Sequence, residues 1–199
     1  MSKAANTRLH ILRKSFELIY TRGYSSTSID DILATTNVTK GAFYYHFSSK
    51  EDMGLAIINE LMKPVVTESF LSRLRNAPDP LKAIYDTMHY LLLEDPFLDP
   101  QYGCPAGNLV HETSAWNRSF NKALRELIAK WQEALEQSLR QGKKKGMVRK
   151  NVQPKQVAYF VMSGYWGIRN FGKLEGGRPV YTVYLRELKN YLESLRLTK

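Results

Sequence analysis

The sequence predicts an all-α fold, with an N-terminal three-helix domain holding a helix-turn-helix and a larger C-terminal helical bundle. Three observations carry this. Apolar residues recur at helical spacing through almost every segment, and strand signals are scarce. Ser, Thr, Asp and Pro mark helix starts, and Gly or Pro-rich breaks mark the ends. Residues 28–50, SIDDILATTNVTKGAFYYHFSSK, read as two short helices joined by a tight turn, with a lysine just beyond the second.

Leu9, Leu12, Phe16 and Ile19 line the first helix, which is expected to end near Gly23. Ser28 suits the N-cap of the second, and Asp31 three residues on makes a near capping box. Ile29, Ile32 and Leu33 form its apolar stripe. Thr36-Asn37-Val38 breaks it, because Asn tolerates turn conformations and β-branched residues disfavour helix interiors. Thr39 caps the third helix, where Phe43 and Phe47, four apart, bury one face while Gly41, Tyr44 and Tyr45 fall on the other. Ser48 or Ser49 caps the fourth, with Glu51 and Asp52 in its first turn, where acids suit the dipole. Leu55, Ile58, Leu61 and Met62 carry its apolar face, Pro64 is expected to kink or end it, and Val65, Phe70, Leu71 and Leu74 continue the pattern.

Asn76 to Pro80 is a break, and Asp79 with Pro80 opens a helix bearing Leu81, Ile84, Tyr85, Met88 and Leu92. Asp95 to Pro105 reads as a loop, followed by a helix from near Ala106 to about Ala115. Phe120, Leu124, Leu127, Trp131, Leu135 and Leu139 mark a long helix expected to end by Gly142, and residues 141–152 form a polar, basic connection. Pro154 opens a helix with Val157, Phe160, Val161, Gly164 and Ile168, stopped at Glu175–Pro179; the last helix carries Leu185, Leu188, Leu192 and Leu195. The count is about nine helices. The domain reading is 1–50 for the helix-turn-helix domain and 51–199 for the rest.

The 199 residues are 43% hydrophobic, enough for a sizeable core, and the net charge of +10 favours a polyanionic partner, nucleic acid or an acidic membrane surface. The single cysteine, Cys104, rules out an intrachain disulfide and fits a reducing compartment. No signal peptide and no membrane span are expected, so the reading is a cytoplasmic protein with no membrane partner. The sequence offers no Gly-rich phosphate loop and no metal-ligand cluster, so neither cofactor nor metal is expected. An enzyme using Cys104 with His111 is disfavoured: seven residues apart on a helix they are too far for a direct hydrogen bond, and no third group orients them.

Lys40, Gly41, Tyr44, Tyr45, His46 and Lys50 suit a DNA surface. Gly41 admits close backbone approach, Lys40 reaches phosphate or guanine, tyrosines meet phosphate oxygens and thymine methyls, and Lys50 adds a phosphate contact. The competing reading makes the aromatics core, but Tyr44 and Tyr45 cannot both be buried on so short a helix. The stretch Gly23 to Lys50, above all TKGAFYYHFSSKEDM, resembles the DNA-binding domain of the tetracycline-repressor (TetR) family of transcriptional regulators. The resemblance rests on Thr27-Ser28-Ile29, Thr39-Lys40-Gly41, Phe43 with Phe47, Tyr44, His46 and Lys50.

The resemblance implies that Thr39, Lys40, Gly41, Tyr44, Tyr45 and His46 face DNA while Thr27, Ser28 and Lys50 hold its backbone. It implies a homodimer on a near-palindromic double-stranded operator, with the last two helices pairing across the dimer. The aromatics Tyr159, Phe160, Tyr165, Trp166, Phe171, Tyr184 and Tyr191 fit such an interface, against the alternative that all serve the core. It further implies a small-molecule effector in the larger domain, for which the candidates are Met88, Tyr102, Cys104, Asn108, His111, Trp116, Tyr165, Trp166 and Arg169, with Arg169 suited to an anion. Cys104 precedes a helix, which favours a thiolate, although an inert small hydrophobe is the preferred reading. The run Arg140, Lys143, Lys144, Lys145, Arg149, Lys150 reads as a solvated connector rather than a second DNA patch. The expected function is a ligand-released repressor; the alternative is a non-specific architectural DNA binder.

Overall fold

The computed structural model describes residues 3–75 and 77–197, the side chains of Lys3 and Ser69 excepted. Asn76, where the break before Pro80 was placed, lies outside the described residues. The α-helices are α1 (Lys3–Arg22), α2 (Ile29–Thr36), α3 (Lys40–His46), α4 (Lys50–Ala56), α5 (Lys63–Val65), α6 (Ser72–Leu74), α7 (Pro80–His89), α8 (Pro105–Thr113), α9 (Arg118–Lys144), α10 (Pro154–Leu174) and α11 (Arg178–Ser194). Wider π-helical turns cover Ile57–Met62, Val66–Leu71 and Tyr90–Glu94, and a 3-10 turn covers Pro100–Tyr102. The fold is all-α; among the described residues the extended pairing amounts to an isolated antiparallel bridge between Val148 and Arg196.

Two sequence breakers do not end their helices. Pro64 sits inside α5 and the backbone stays helical around it. Proline lacks an N–H and crowds the carbonyl four residues back. The preceding turn widens, and the Lys63 N–H reaches back five residues to the Ile58 carbonyl. Gly142 does not end α9, which runs on to Lys144. A Cβ at 142 would stand 2.5 Å from Pro80 Cγ and 2.7 Å from Val148 Cγ2, so this glycine admits neighbours instead of stopping a helix. The turn falls at Gly146, with φ +70°.

The chain divides into two compact units, one of Met1–Val65 with Pro105–Glu126 and the other of Val66–Cys104 with Leu127–Lys199. The first therefore reaches past residue 50 and recruits α8 and the start of α9. Its core holds Ile11, Leu12, Ile32, Phe43, Phe47, Met53, Ile57, Ile58 and Phe120. A Cβ on Gly54 would lie 2.5 Å from Phe120 Cζ, and the Tyr24 and Phe120 rings meet edge-on at 4.9 Å.

The second unit packs Trp131, Leu135, Leu139, Val161, Tyr165, Tyr181, Leu185 and Leu188 together, with Trp131 edge-on to Tyr165 at 5.3 Å. Asp79 caps α7 by accepting from the N–H groups of Leu81 (3.0 Å) and Lys82 (3.1 Å), and it pairs with Arg196 at 2.8 Å. Burial pushes the Asp79 carboxyl up, but the bonds from Arg196 and the helix N–H groups outweigh it and hold the carboxyl below its usual range.

Candidate nucleic-acid interface

The helix-turn-helix is assembled by short-range bonds. Ser28 Oγ accepts from the Asp31 N–H (3.0 Å) and Asp31 accepts in return from the Ser28 N–H (2.8 Å), a complete capping box. The hydrogen bonds from Ser28, with the charges of Arg22 and Lys50, hold the Asp31 carboxyl below its usual range. Asn37 takes the left-handed conformation (φ 54°) and its N–H bonds to the Leu33 carbonyl at 3.0 Å, which ends α2. Thr39 then accepts from the Ala42 N–H (3.2 Å) and starts α3.

On α3, Phe43 and Phe47 are 0% and 1% exposed with rings 5.8 Å apart, whereas Tyr44 is 46% and Tyr45 78% exposed. Thr39, Lys40 and Gly41 are exposed and His46 is half-buried. Lys40, Gly41, Tyr44 and Tyr45 stand one and four residues apart, so they share one helix face. No atom lies within 4 Å of where a Gly41 Cβ would be, so the backbone is open to an approaching surface.

Ser49 caps α4 by accepting from the Asp52 N–H (3.0 Å). Lys50 begins α4, with Nζ 4.3 Å from the centre of the Tyr24 ring. Burial pulls the Lys50 ammonium down, against the opposing charges of Glu112 and Asp31. Tyr24 is pushed up to about 12, by burial first and by Glu51 second.

Thr27 and Glu112 depart from the sequence reading. Thr27, expected to hold the DNA backbone, is fully buried; its hydroxyl donates to the Gly23 carbonyl at 2.7 Å, so it fixes the turn between α1 and α2 from within. Ser28 is exposed but already spends its hydroxyl on Asp31. Glu112, which the sequence did not single out, accepts from the N–H groups of Tyr24 (3.1 Å) and Ser25 (2.8 Å). It stands 88 residues from Tyr24 along the chain, and no local pattern signals such a bond.

The nine effector candidates do not gather in one unit. Asn108, His111 and Trp116 lie in the first; Met88, Tyr102, Cys104, Tyr165, Trp166 and Arg169 lie in the second. His111 and Trp116 are exposed, Met88 and Tyr165 are buried, and Tyr102, Cys104, Asn108 and Trp166 are half-buried. Arg169 corrects the expectation of an anion-binding guanidinium. It is fully buried, donates to the carbonyls of Leu98 (3.2 Å), Asp99 (3.3 Å) and Gly103, and lies 5.6 Å over the Tyr181 ring. Its donors tie down the 98–103 loop.

The aromatics of the last two helices split. Tyr165 belongs to the core and Trp166, Tyr184 and Tyr191 are half-buried, whereas Tyr159, Phe160 and Phe171 are 50%, 53% and 63% exposed beside Leu174 and Val183. In the basic run, Arg140 pairs with Glu136 at 2.7 Å, Lys143 donates to the Val152 carbonyl at 2.7 Å, and Lys144, Arg149 and Lys150 are exposed. Among the described residues no cluster of three or more His, Cys, Asp or Glu could hold a metal ion, and no helix is long and apolar enough to cross a membrane.

A buried-phenylalanine, exposed-tyrosine second helix behind a capped first helix defines a helix-turn-helix DNA-binding protein. The family description "Bacterial regulatory proteins, tetR family" matches residues 11–57, and "Tetracyclin repressor-like, C-terminal domain" matches residues 77–188. The chain belongs to the TetR family of DNA-binding transcriptional regulators. It is similar to an uncharacterised HTH-type transcriptional regulator in the lacX 3' region of Lactococcus lactis subsp. lactis, 36% identical over 134 residues, 67% of this chain and 68% of that protein. It is also similar to the HTH-type transcriptional repressor DhaR of Mycobacterium sp. (strain GP1), 28% identical over 89% of this chain and 88% of that one. A TetR transcriptional regulator from Chloroflexus aurantiacus, known as a crystal structure, superposes with a TM-score of 0.88 at 25% identity, covering 100% of both chains.

Proposed function

We propose that this protein is a repressor that reads a near-palindromic operator as a homodimer and leaves it when a small molecule binds the second unit. The observation that carries the reading is α3 itself: Phe43 and Phe47 anchor it while Lys40, Gly41, Tyr44 and Tyr45 stay free on its outer face. Thr39 and His46 extend that face, and Lys50, at the start of α4, flanks it as a backbone contact, whereas Ser28 gives both its donors to Asp31 and holds the start of α2 in place. Thr27 is left out of the contact set because it is buried.

One seven-residue helix offers too few base contacts for useful specificity, and two copies a helical turn apart double them. The exposed Tyr159, Phe160 and Phe171 of α10 and Val183 of α11 support a second copy as the partner. Met88, Tyr102, Cys104, Tyr165 and Trp166 are the effector candidates that share the second unit. Release needs only that the effector favour one of two conformations. The protein works in the cytoplasm, on DNA.

The test is selection of a duplex from a random-sequence pool, followed by affinity for that duplex and for its scrambled version. A preference above about 1,000-fold is expected, on an inverted repeat; a ratio near one would establish the architectural reading instead. Lys50→Ala is expected to weaken binding to every sequence and to lower the salt slope by about 1 per protomer. An unchanged slope would remove Lys50 from the contact set.

A further inference from the structure

The first unit carries a second cationic surface that the helix-turn-helix does not use. Arg118, Lys122 and Arg125 stand four and three residues apart on α9, hence on one face, over about 10.5 Å of helix. They line an open groove of about 540 Å³ together with Trp116 and Glu126. Among the described residues no acidic side chain pairs with any of the three cations; Arg125 donates to Asn121 at 2.6 Å. The acid that lines the groove, Glu126, is held by Lys63 at 2.9 Å. The groove therefore presents uncompensated positive charge. Trp116 is 61% exposed and its indole N–H is spent on the Glu112 carbonyl at 2.6 Å, so what it offers outward is an apolar ring.

Contacts within the unit fix where this groove lies. Gly54 abuts Phe120, and Lys63 pairs with Glu126, so the start of α9 runs in the same sense as the segment from α4 to α5. The beginning of α9 is thus at the end where α4 begins, and α4 begins with Lys50. Tyr24 joins the two: its ring contacts Phe120 on one side and the Lys50 ammonium on another, and its N–H is held by Glu112, one turn before Trp116.

We propose that Arg118, Lys122 and Arg125 hold DNA phosphates beyond those met at Lys50, with Trp116 against the sugar edge, so that the head grips backbone outside the bases α3 reads. The inference rests on the DNA-reading role of α3. Three cations spread over about 10.5 Å of helix are far enough apart to meet different phosphates, since each strand carries a charge about every 3.4 Å of axis. Duplex DNA is the occupant the charge favours, because a stripe of separated cations matches a repeating anion better than a single one.

The experiment compares wild type, Arg118→Gln/Lys122→Gln/Arg125→Gln and a control, Lys144→Gln/Arg149→Gln/Lys150→Gln, which removes the same charge from exposed positions of the second unit. Each is titrated from low to high salt with the duplex selected by wild type and with its scrambled version. The stripe variant is expected to lose about 0.9 of salt slope per phosphate released, up to about 2.7 per protomer, equally on both duplexes, with the sequence preference unchanged. The control is expected to lose less than half as much. Equal losses in the two variants, or no loss in the stripe variant, would overturn the inference while leaving the reading of α3 intact. The second result is also the one expected if the groove takes a small acidic ligand instead. A wild type that binds no selected duplex would overturn both.

Discussion

The helix-turn-helix and the second unit rely on bonds of different reach. Around α2 and α3 the decisive hydrogen bonds join residues three or four apart: Ser28 with Asp31, Thr39 with Ala42, Ser49 with Asp52, Asn37 with Leu33. In the second unit they join distant segments: Arg169 reaches back to Leu98, Asp99 and Gly103, and Asp79 meets Arg196. Local caps fix where each short helix starts and stops, so α2 and α3 keep their bounds. Long-range ties let the second unit depend on a few buried side chains, and losing one releases a whole loop. A surface that must match DNA is built the first way; a region whose loops are gathered around one core is built the second.

The largest test of this contrast is Phe43→Ala. Phe43 is fully buried, so truncation is expected to cost about 3–5 kcal/mol in urea denaturation, with DNA binding lost in step. A mild effect would mean that the caps, rather than the aromatic anchors, hold α3. Next is Arg169→Met, which keeps the volume but strips the donors from three backbone carbonyls; a loss of about 3 kcal/mol is expected, with protease cleavage appearing within 98–103. Stability within error of wild type would show that the loop is held by packing alone.

Asp79→Ala is expected to cost about 1–2 kcal/mol through the lost cap. The pH dependence sharpens it. A carboxyl held below its usual range contributes stability that is complete above about pH 4 and is lost as pH falls through the lowered value. Melting temperatures between about pH 4 and pH 2 are therefore expected to fall more steeply for wild type than for Asp79→Asn. Parallel curves would show that the Arg196 pair does not matter. The smallest effect, and the one of opposite sign, is Gly41→Ala. The added methyl meets nothing and alanine is the better helix former, so stability is expected to rise by about 0.5–1 kcal/mol while operator affinity falls. An unchanged affinity would take Gly41 out of the interface.

The same difference in reach decides what could be read from the sequence. The Ser28–Asp31 box, the left-handed Asn37 and the Phe43/Phe47 anchor were legible because each depends on spacings of one helical turn. Thr27 was a backbone contact by family resemblance, and only the fold shows its hydroxyl turned inward to Gly23. Arg169 was a candidate for an anion because the resemblance implies a pocket and a guanidinium there suits a carboxylate, yet its partners are carbonyls some seventy residues away. Gly142 looked like a helix end, and it is a gap left for Pro80 and Val148. In each case the missing information was which distant segment arrives, and no periodicity encodes that.

The bond from Glu112 to the Tyr24 and Ser25 N–H groups makes the reading head a two-piece object. Anyone transplanting this head onto another regulator would be moving residues 1–65 without the acid that closes its first turn, and without Phe120 beside Gly54. A working chimaera has to carry 105–126 as well, so the natural unit of exchange in this chain is a pair of separated stretches. A single crossover after α4 would leave this head without that carboxylate.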